Sequence, residues 1–98
     1  MEHMEVQFDF VEKNGGACVT KILSPGAACV IPETLSGLPV TELGDKALAQ
    51  TGVEEVFLPR TLRRLGRYCF YGCERLSHIH FYGGPLELSL IHIFRAHE

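Results

Sequence analysis

Four cysteines are the residues of this chain with the clearest capacity for chemistry: Cys18, Cys29, Cys69 and Cys73. An even number of cysteines in a short chain favours disulfides if the protein is secreted, whereas the alternative is that each thiol acts as a small buried apolar group. We favour buried thiols, with Cys29 and Cys73 at core positions, because sequence spacing cannot establish the Cα approach that a disulfide requires.

A zinc site is a second possibility, because Cys69 and Cys73 are followed by His78 and His80. Zinc requires thiolates and imidazoles that converge on one point. Cys73 is expected inside and both histidines outside, so these ligands converge poorly and we expect no metal site. The sequence also lacks a nucleophile elbow and a glycine-rich phosphate loop, so we expect no enzymatic activity and no cofactor.

Four arginines form a dense basic patch in the middle of the chain: Arg60, Arg63, Arg64 and Arg67. Such a patch could bind an anionic polymer or an acidic partner, but more often it is a solvated face. The formal net charge of −3 argues against nucleic-acid binding. No apolar run approaches the roughly 20 residues of a membrane helix, so we expect no membrane insertion.

The elements that must position these residues come from an internal repeat. Leu43-Gly44 recurs 22 residues later as Leu65-Gly66, and Val56 recurs 23 residues later as Ile79. Self-similarity at a period of roughly 20–30 residues indicates a stacked solenoid, because one unit cannot bury its apolar face alone. Short helical turns are expected over residues 44–49 and 66–71, where they need packing to be stable.

Alternation along each short strand sorts the residues into inner and outer rows. The predicted inner rows are Cys29, Val56 and Ile79, followed by Ile31, Leu58 and Phe81. The outer strip comprises Val30, Glu55, Phe57, His78 and His80. Because adjacent strands lie about 4.8 Å apart, Glu55 could pair with His78, the alternative being an exposed pair that contributes at most about 1 kcal/mol. The strip is a candidate partner-binding surface; the alternative is a set of singly exposed side chains without a function.

The repeat resembles the BspA-like leucine-rich repeats of bacterial surface proteins. Their consensus sequence is L-x-x-I-x-I-P, followed by I-G and then by A-F-x-x-C. The matching residues are Val53, Val56, Leu58, Pro59, Leu62, Leu65, Gly66, Phe70, Gly72 and Cys73. The resemblance covers about residues 6–84 and includes that family's inserted opening unit at 31–41. It implies a mostly β leucine-rich repeat solenoid with short helical turns and an N-terminal capping β-hairpin.

The resemblance also implies an N-terminal fragment of a secreted or surface-attached protein that continues into further repeats. Residues 1–5 lack the basic and apolar regions of a signal peptide. The implied role is non-catalytic binding of a protein or cell-surface ligand through the outward strand face. The alternative is a structural spacer or a truncated N-terminal cap with no ligand of its own, because a fold alone does not determine function.

The predicted organisation is a single domain over residues 1–98. Its parts are a capping hairpin at 5–23, a first repeat with an insertion at 24–52, a second repeat at 53–75 and a partial third repeat at 76–87. Residues 88–98 do not continue the repeat and match a translation of a common transposase-type sequencing adapter. We therefore expect that tail to be non-native, the alternative being a genuine apolar strand.

Overall fold

Short strands joined by tight turns make up the part of the chain that the computed structural model describes, residues 6–84 and the backbone of 87–88. Within those residues the strands are β1 (Gln7–Lys13), β2 (Gly16–Leu23), β3 (Ala28–Val30), β4 (Thr34–Leu35), β5 (Leu38–Leu43), β6 (Glu55–Phe57), β7 (Arg64–Leu65), β8 (His78–His80) and β9 (Glu87–Leu88). The predicted adapter origin of residues 88–98 concerns positions that lie outside the described residues, apart from the backbone of Leu88.

Strands β3, β6 and β8 form one parallel sheet, with one strand from each successive coil. The central residues Cys29, Val56 and Ile79 lie opposite one another in register. Cys29 and Val56 are fully buried, as strand alternation predicts, and their neighbours along each strand face outward. Ile79 is predicted to point into the core, but it is 36% exposed because β8 is an edge strand of this sheet among the described residues.

A second sheet closes the other side of each coil. Its parallel strands β2, β5, β7 and β9 stack in that order, β1 pairs antiparallel with β2, and β4 pairs antiparallel with β5. Leu43 lies opposite Leu65, and Val19 lies opposite Leu43. All three of these leucine and valine side chains are buried, so the two sheets enclose one apolar core.

The third side of each coil consists of hydrogen-bonded turns, and the described residues contain no helix. Lys46 and Tyr68, 22 residues apart, have φ values of 62° and 58°, which interrupt a helical path at the same point of both coils. Residues 44–49 and 66–71 therefore form tight turns and not the predicted short helical turns. The turns instead stack through backbone bonds, because the N–H of Leu48 donates to Cys69 O (2.9 Å) and that of Gln50 to Tyr71 O (2.7 Å).

The β1–β2 hairpin covers the first end of this core. Asn14 and Gly15 have φ values of 53° and 81°, the positive pair that a two-residue type I′ hairpin turn needs. Strand β2 then adds to β5, and the N–H of Gly44 donates to Val19 O at 2.7 Å. Ile22, which is 2% exposed, donates its N–H to Ala47 O. The hairpin thus shields both the second sheet and the turn side from water.

A change at Gly66 provides a test of how tightly the coils stack. A Cβ at Gly66 would lie 2.7 Å from the backbone nitrogen of Asp45 and 2.7 Å from the carbonyl carbon of Gly44. Because backbone must move to relieve that overlap, Gly66→Ala should lower the free energy of unfolding by about 1–3 kcal/mol. Urea unfolding followed by circular dichroism measures the change.

Gly52→Ala is the matched control for that substitution. A Cβ at Gly52 meets no atom within 4 Å. The control should leave the stability unchanged or raise it by about 0.4–1 kcal/mol, since alanine restricts the unfolded chain. Equal destabilisation by both substitutions would contradict close stacking of the coils at Gly66.

Candidate binding face

The outward face of the β3–β6–β8 sheet brings together all five residues of the predicted strip. Val30, Phe57 and His80 form one row across the three strands, in register. Glu55 and His78 lie opposite each other in the neighbouring row. Val30 is 64% exposed, and the other four residues are half-buried or exposed. The parallel register places these side chains side by side because equivalent positions of successive coils stack directly.

Three rings of this face stack on one another. The Phe57 and His80 ring centroids lie 4.3 Å apart with an interplanar angle of 10°. The rings of His80 and His78 are also nearly parallel, at 8°, with centroids 6.1 Å apart. The Phe57 and His80 rings are close enough for each to limit the rotation of the other. The three rings lie side by side along β8 and across to β6.

The Glu55 carboxylate pairs with His80, although His78 is the residue that lies opposite Glu55 in the sheet. The ring nitrogen Nε2 of His80 lies 2.8 Å from Glu55 Oε2. The carboxylate reaches along the strand to the next outward residue of β8 instead of to the residue directly opposite. His78 lies 3.0 Å from Ser77 through Nδ1 and the Ser77 hydroxyl. The Phe57 and Glu55 side chains together hold His80 in one orientation.

A shallow depression of about 280 Å³ lies where the strands of this sheet end. Its lining residues are Val30, Ile31, Pro32, Glu33, Phe57, Leu58, Pro59, Arg60 and Tyr82. Tyr82 is 80% exposed and follows β8 at the position that Pro32 and Pro59 occupy after β3 and β6. The predicted strip therefore continues, through Phe57 and Val30, into an apolar recess.

Tyr82 and the two prolines belong to this face although the alternation of the strands does not indicate them. The repeat alignment contained the signal, since the tyrosine occurs where the two preceding coils have proline. From sequence alone, a proline after a short strand indicates only that the strand ends there. Their contribution to a recess depends on the way in which three coils stack, which a pattern of single residues does not reveal.

The basic patch is spread around the second coil and faces acidic groups of the coil before it. Arg60 lies 3.8 Å from Glu33, both side chains being largely exposed. Arg64 lies opposite Glu42 in the β5–β7 pairing. The backbone N–H of Arg67 donates to Asp45 Oδ1 at 2.7 Å. Carboxylates beside the arginines reduce the positive potential of this surface, which weakens the case for an anionic polymer as ligand.

Arg63, the fourth residue of the patch, is exposed, and its backbone N–H donates to Thr41 O at 2.8 Å. That bond continues the contact between the second coil and the first. Arg63 thus contributes to the stacking of the coils through its backbone, while its side chain remains at the surface.

The cysteines are free thiols at four separate positions. Cys29 and Cys69 are fully buried, and Cys18 is 7% exposed. Loss of hydration on burial raises the pKa of Cys29 to about 11 and that of Cys69 to about 12. Burial also raises the pKa of Cys18, with the Glu42 carboxylate as the next cause. These three thiols are therefore poor nucleophiles at neutral pH.

Cys73 is half-buried, which differs from its predicted place in the core. Its thiol donates to the carbonyl oxygen of Leu48 at 3.0 Å and lies 3.6 Å from the Thr51 hydroxyl. It borders a second depression of about 360 Å³, beside Phe70 and Ile79, at the end of the last described coil. In the described part of the chain, no group of three or more histidine, cysteine or acidic side chains converges as metal ligands.

The stacked coils with a repeat of 22–23 residues define the class of this protein as a leucine-rich repeat solenoid. The repeat is of the BspA-like kind that the sequence resembles, and comparison with solved structures confirms this recognition together with the mostly β fold. No family model and no curated protein matches the chain. Between residues 6 and 84, and at 87–88, there is no helix that could cross a membrane.

Three bacterial leucine-rich repeat proteins illustrate the similarity. A protein of T. pallidum superposes with a TM-score of 0.72 at 33% identity, over 74% of this chain and 36% of the other. A protein of Bacteroides capillosus gives 0.70 at 26% identity, over 76% of this chain and 60% of the other. A leucine-rich cell surface protein of Faecalibacterium prausnitzii gives 0.68 at 22% identity, over 82% and 24%. The chain thus spans less than two thirds of each relative.

Proposed function

We propose that this chain is a non-catalytic interaction module that binds a protein or cell-surface ligand through the outward face of the β3–β6–β8 sheet. The observation that carries the proposal is the contiguous face made by Val30, Phe57 and the stacked histidines. Aromatic side chains that are already held in place lose little conformational freedom when a partner covers them, so more of their contact energy appears as affinity.

The relatives support the proposal at the level of class. They are leucine-rich repeat proteins, and the Faecalibacterium prausnitzii protein is described as a cell surface protein. Solenoids of this type use extended sheet surfaces for recognition. We infer the same use of the sheet in this chain, with the Glu55 carboxylate beside the aromatic stack as a polar contact for the partner.

The rival function is a structural spacer or cap that has no ligand of its own. A spacer needs buried residues and coil-to-coil hydrogen bonds, both of which this chain has. It does not need an ordered, solvent-facing stack of three rings. The stack therefore favours the binding function, and substitutions confined to the stack discriminate between the two.

Replacing both Phe57 and His80 by alanine should reduce partner capture by at least about tenfold, because the change removes the centre of the face. The immobilised chain is incubated with extracts of bacterial and host cell-surface proteins, and captured proteins are quantified by mass spectrometry. Val11→Ala is the matched control, since Val11 is an apolar residue of β1 that is 53% exposed and lies outside the face.

Thermal unfolding of each variant, followed by circular dichroism, establishes that the variants remain folded in the capture experiment. If the double variant captures the same proteins as the Val11→Ala control, the strand face is not the binding surface. A wild-type chain that captures nothing would favour the spacer instead.

A further inference from the structure

The depression at the end of the β3–β6–β8 sheet has walls suited to one kind of occupant. Its aromatic walls are Phe57 and the strongly exposed Tyr82, and its aliphatic walls include Val30 and the rings of Pro32 and Pro59. Its volume of about 280 Å³ corresponds to one or two side chains, not to a large ligand. An apolar segment of small cross-section fits this recess.

The polar groups at the rim further restrict the occupant. Pro32 and Pro59 have no backbone N–H, so the depression has no backbone donor at these two positions. The side-chain donors at the rim are the Tyr82 hydroxyl and the Arg60 guanidinium. Arg60 contacts Glu33 at 3.8 Å in an exposed pair, which is weak enough for the guanidinium to turn toward a ligand. The rim thus offers donors to carbonyl oxygens.

We propose that this depression binds a proline-rich, extended segment of a partner protein. Such a segment adopts the polyproline II conformation, lacks backbone N–H groups at its prolines and exposes its carbonyl oxygens to the outside. Its rings pack between Tyr82 and Phe57, and its carbonyls accept hydrogen bonds from Tyr82 and Arg60. The inference rests on the proposed function, because it names the partner chemistry for one end of the same face.

The test is a titration of the isotope-labelled chain with a blocked oligoproline peptide, followed by amide chemical shifts in nuclear magnetic resonance spectra. A glycine–serine peptide of the same length and methyl glucoside are titrated in parallel. We expect oligoproline alone to shift the amides around Val30, Phe57 and Tyr82 in a saturable way. Tyr82→Ala should weaken oligoproline binding by about tenfold, through loss of one aromatic wall and its hydroxyl.

Tyr82→Phe and Arg60→Gln separate the donors from the apolar walls, and both sites are exposed enough for the variants to fold. Each should weaken oligoproline binding by less than Tyr82→Ala does. Shifts with methyl glucoside but not oligoproline would overturn the inference in favour of a carbohydrate site. Equal shifts with the glycine–serine peptide, or an unchanged affinity in Tyr82→Ala, would also overturn it.

The two proposals fail separately. If the Phe57→Ala and His80→Ala double variant loses partner capture while oligoproline does not bind the wild-type chain, the proline-rich partner is wrong and the binding face stands. If oligoproline binds as expected while His80→Ala, which leaves the walls of the depression intact, keeps full capture, the depression has its ligand and the strand face beyond it does not carry the module's binding.

Discussion

Phe70→Ala should lower the free energy of unfolding by about 3–5 kcal/mol, the largest effect we expect from any single core substitution in this chain. Phe70 is 1% exposed and is the largest of the fully buried side chains. It fills the space between the turn side of the second coil and the two sheets. Its removal leaves a cavity. The coils cannot move together to fill this cavity, because backbone hydrogen bonds fix each coil to its neighbours.

A loss of this size approaches the whole stability of a small domain, which is typically about 5–15 kcal/mol. Urea unfolding followed by circular dichroism should show a lower midpoint for Phe70→Ala with an unchanged slope if the variant still folds. Phe70→Leu retains most of the volume and should lose much less. Val11→Ala, at a site 53% exposed, should change stability by less than about 0.5 kcal/mol. A loss below about 1 kcal/mol for Phe70→Ala would show that the site is loosely packed.

The burial of the inner residues of the first two coils, Cys29, Ile31, Val56 and Leu58, could be predicted because it follows from short-range rules. Alternation within a strand determines which side chains turn inward, and a 22-residue period aligns those side chains between coils. Cys29 and Val56 stack in register for this reason. The same rules predicted the outer strip, whose five residues do lie on one face.

Other features depend on geometry that a pattern of residue types does not contain. Lys46 and Tyr68 adopt positive φ, so each predicted helical turn is a set of tight turns; neither residue type signals such a conformation. Glu55 reaches His80 because of the direction in which its side chain leans along the sheet. Burial of Cys73 and Ile79 requires a covering coil, and the rules that identify inner positions do not supply one.

Raising the pH above about 9 should lower the free energy of unfolding, because the buried thiols of the folded chain hold their protons more tightly than the thiols of the unfolded chain do. A thiol has an ordinary pKa of 9.0, whereas burial raises the pKa of Cys29 to about 11 and that of Cys69 to about 12. Below pH 9 both thiols keep their protons in the folded and the unfolded chain, so their contribution to stability is fully present.

Above that pH the unfolded chain releases protons that the folded chain still holds. The unfolded state is therefore favoured as the pH rises, and stability falls by about 1.4 kcal/mol per pH unit for each thiol. The loss from Cys29 levels off near its folded pKa of about 11, and that from Cys69 near about 12. Together the two thiols should remove several kcal/mol across this window.

The measurement is urea unfolding at a series of pH values from about 8 to about 11, in the presence of a reductant. Tyrosines and lysines also titrate over this range, so the wild-type chain is compared with a variant that has alanine in place of both Cys29 and Cys69. The variant starts less stable at neutral pH because it has two small cavities. Its stability should nevertheless fall with pH less steeply, by about 1.4 kcal/mol per pH unit for each thiol removed. Parallel curves for the two proteins would mean that Cys29 and Cys69 ionise in the folded chain as readily as in the unfolded one, which contradicts their burial between the coils.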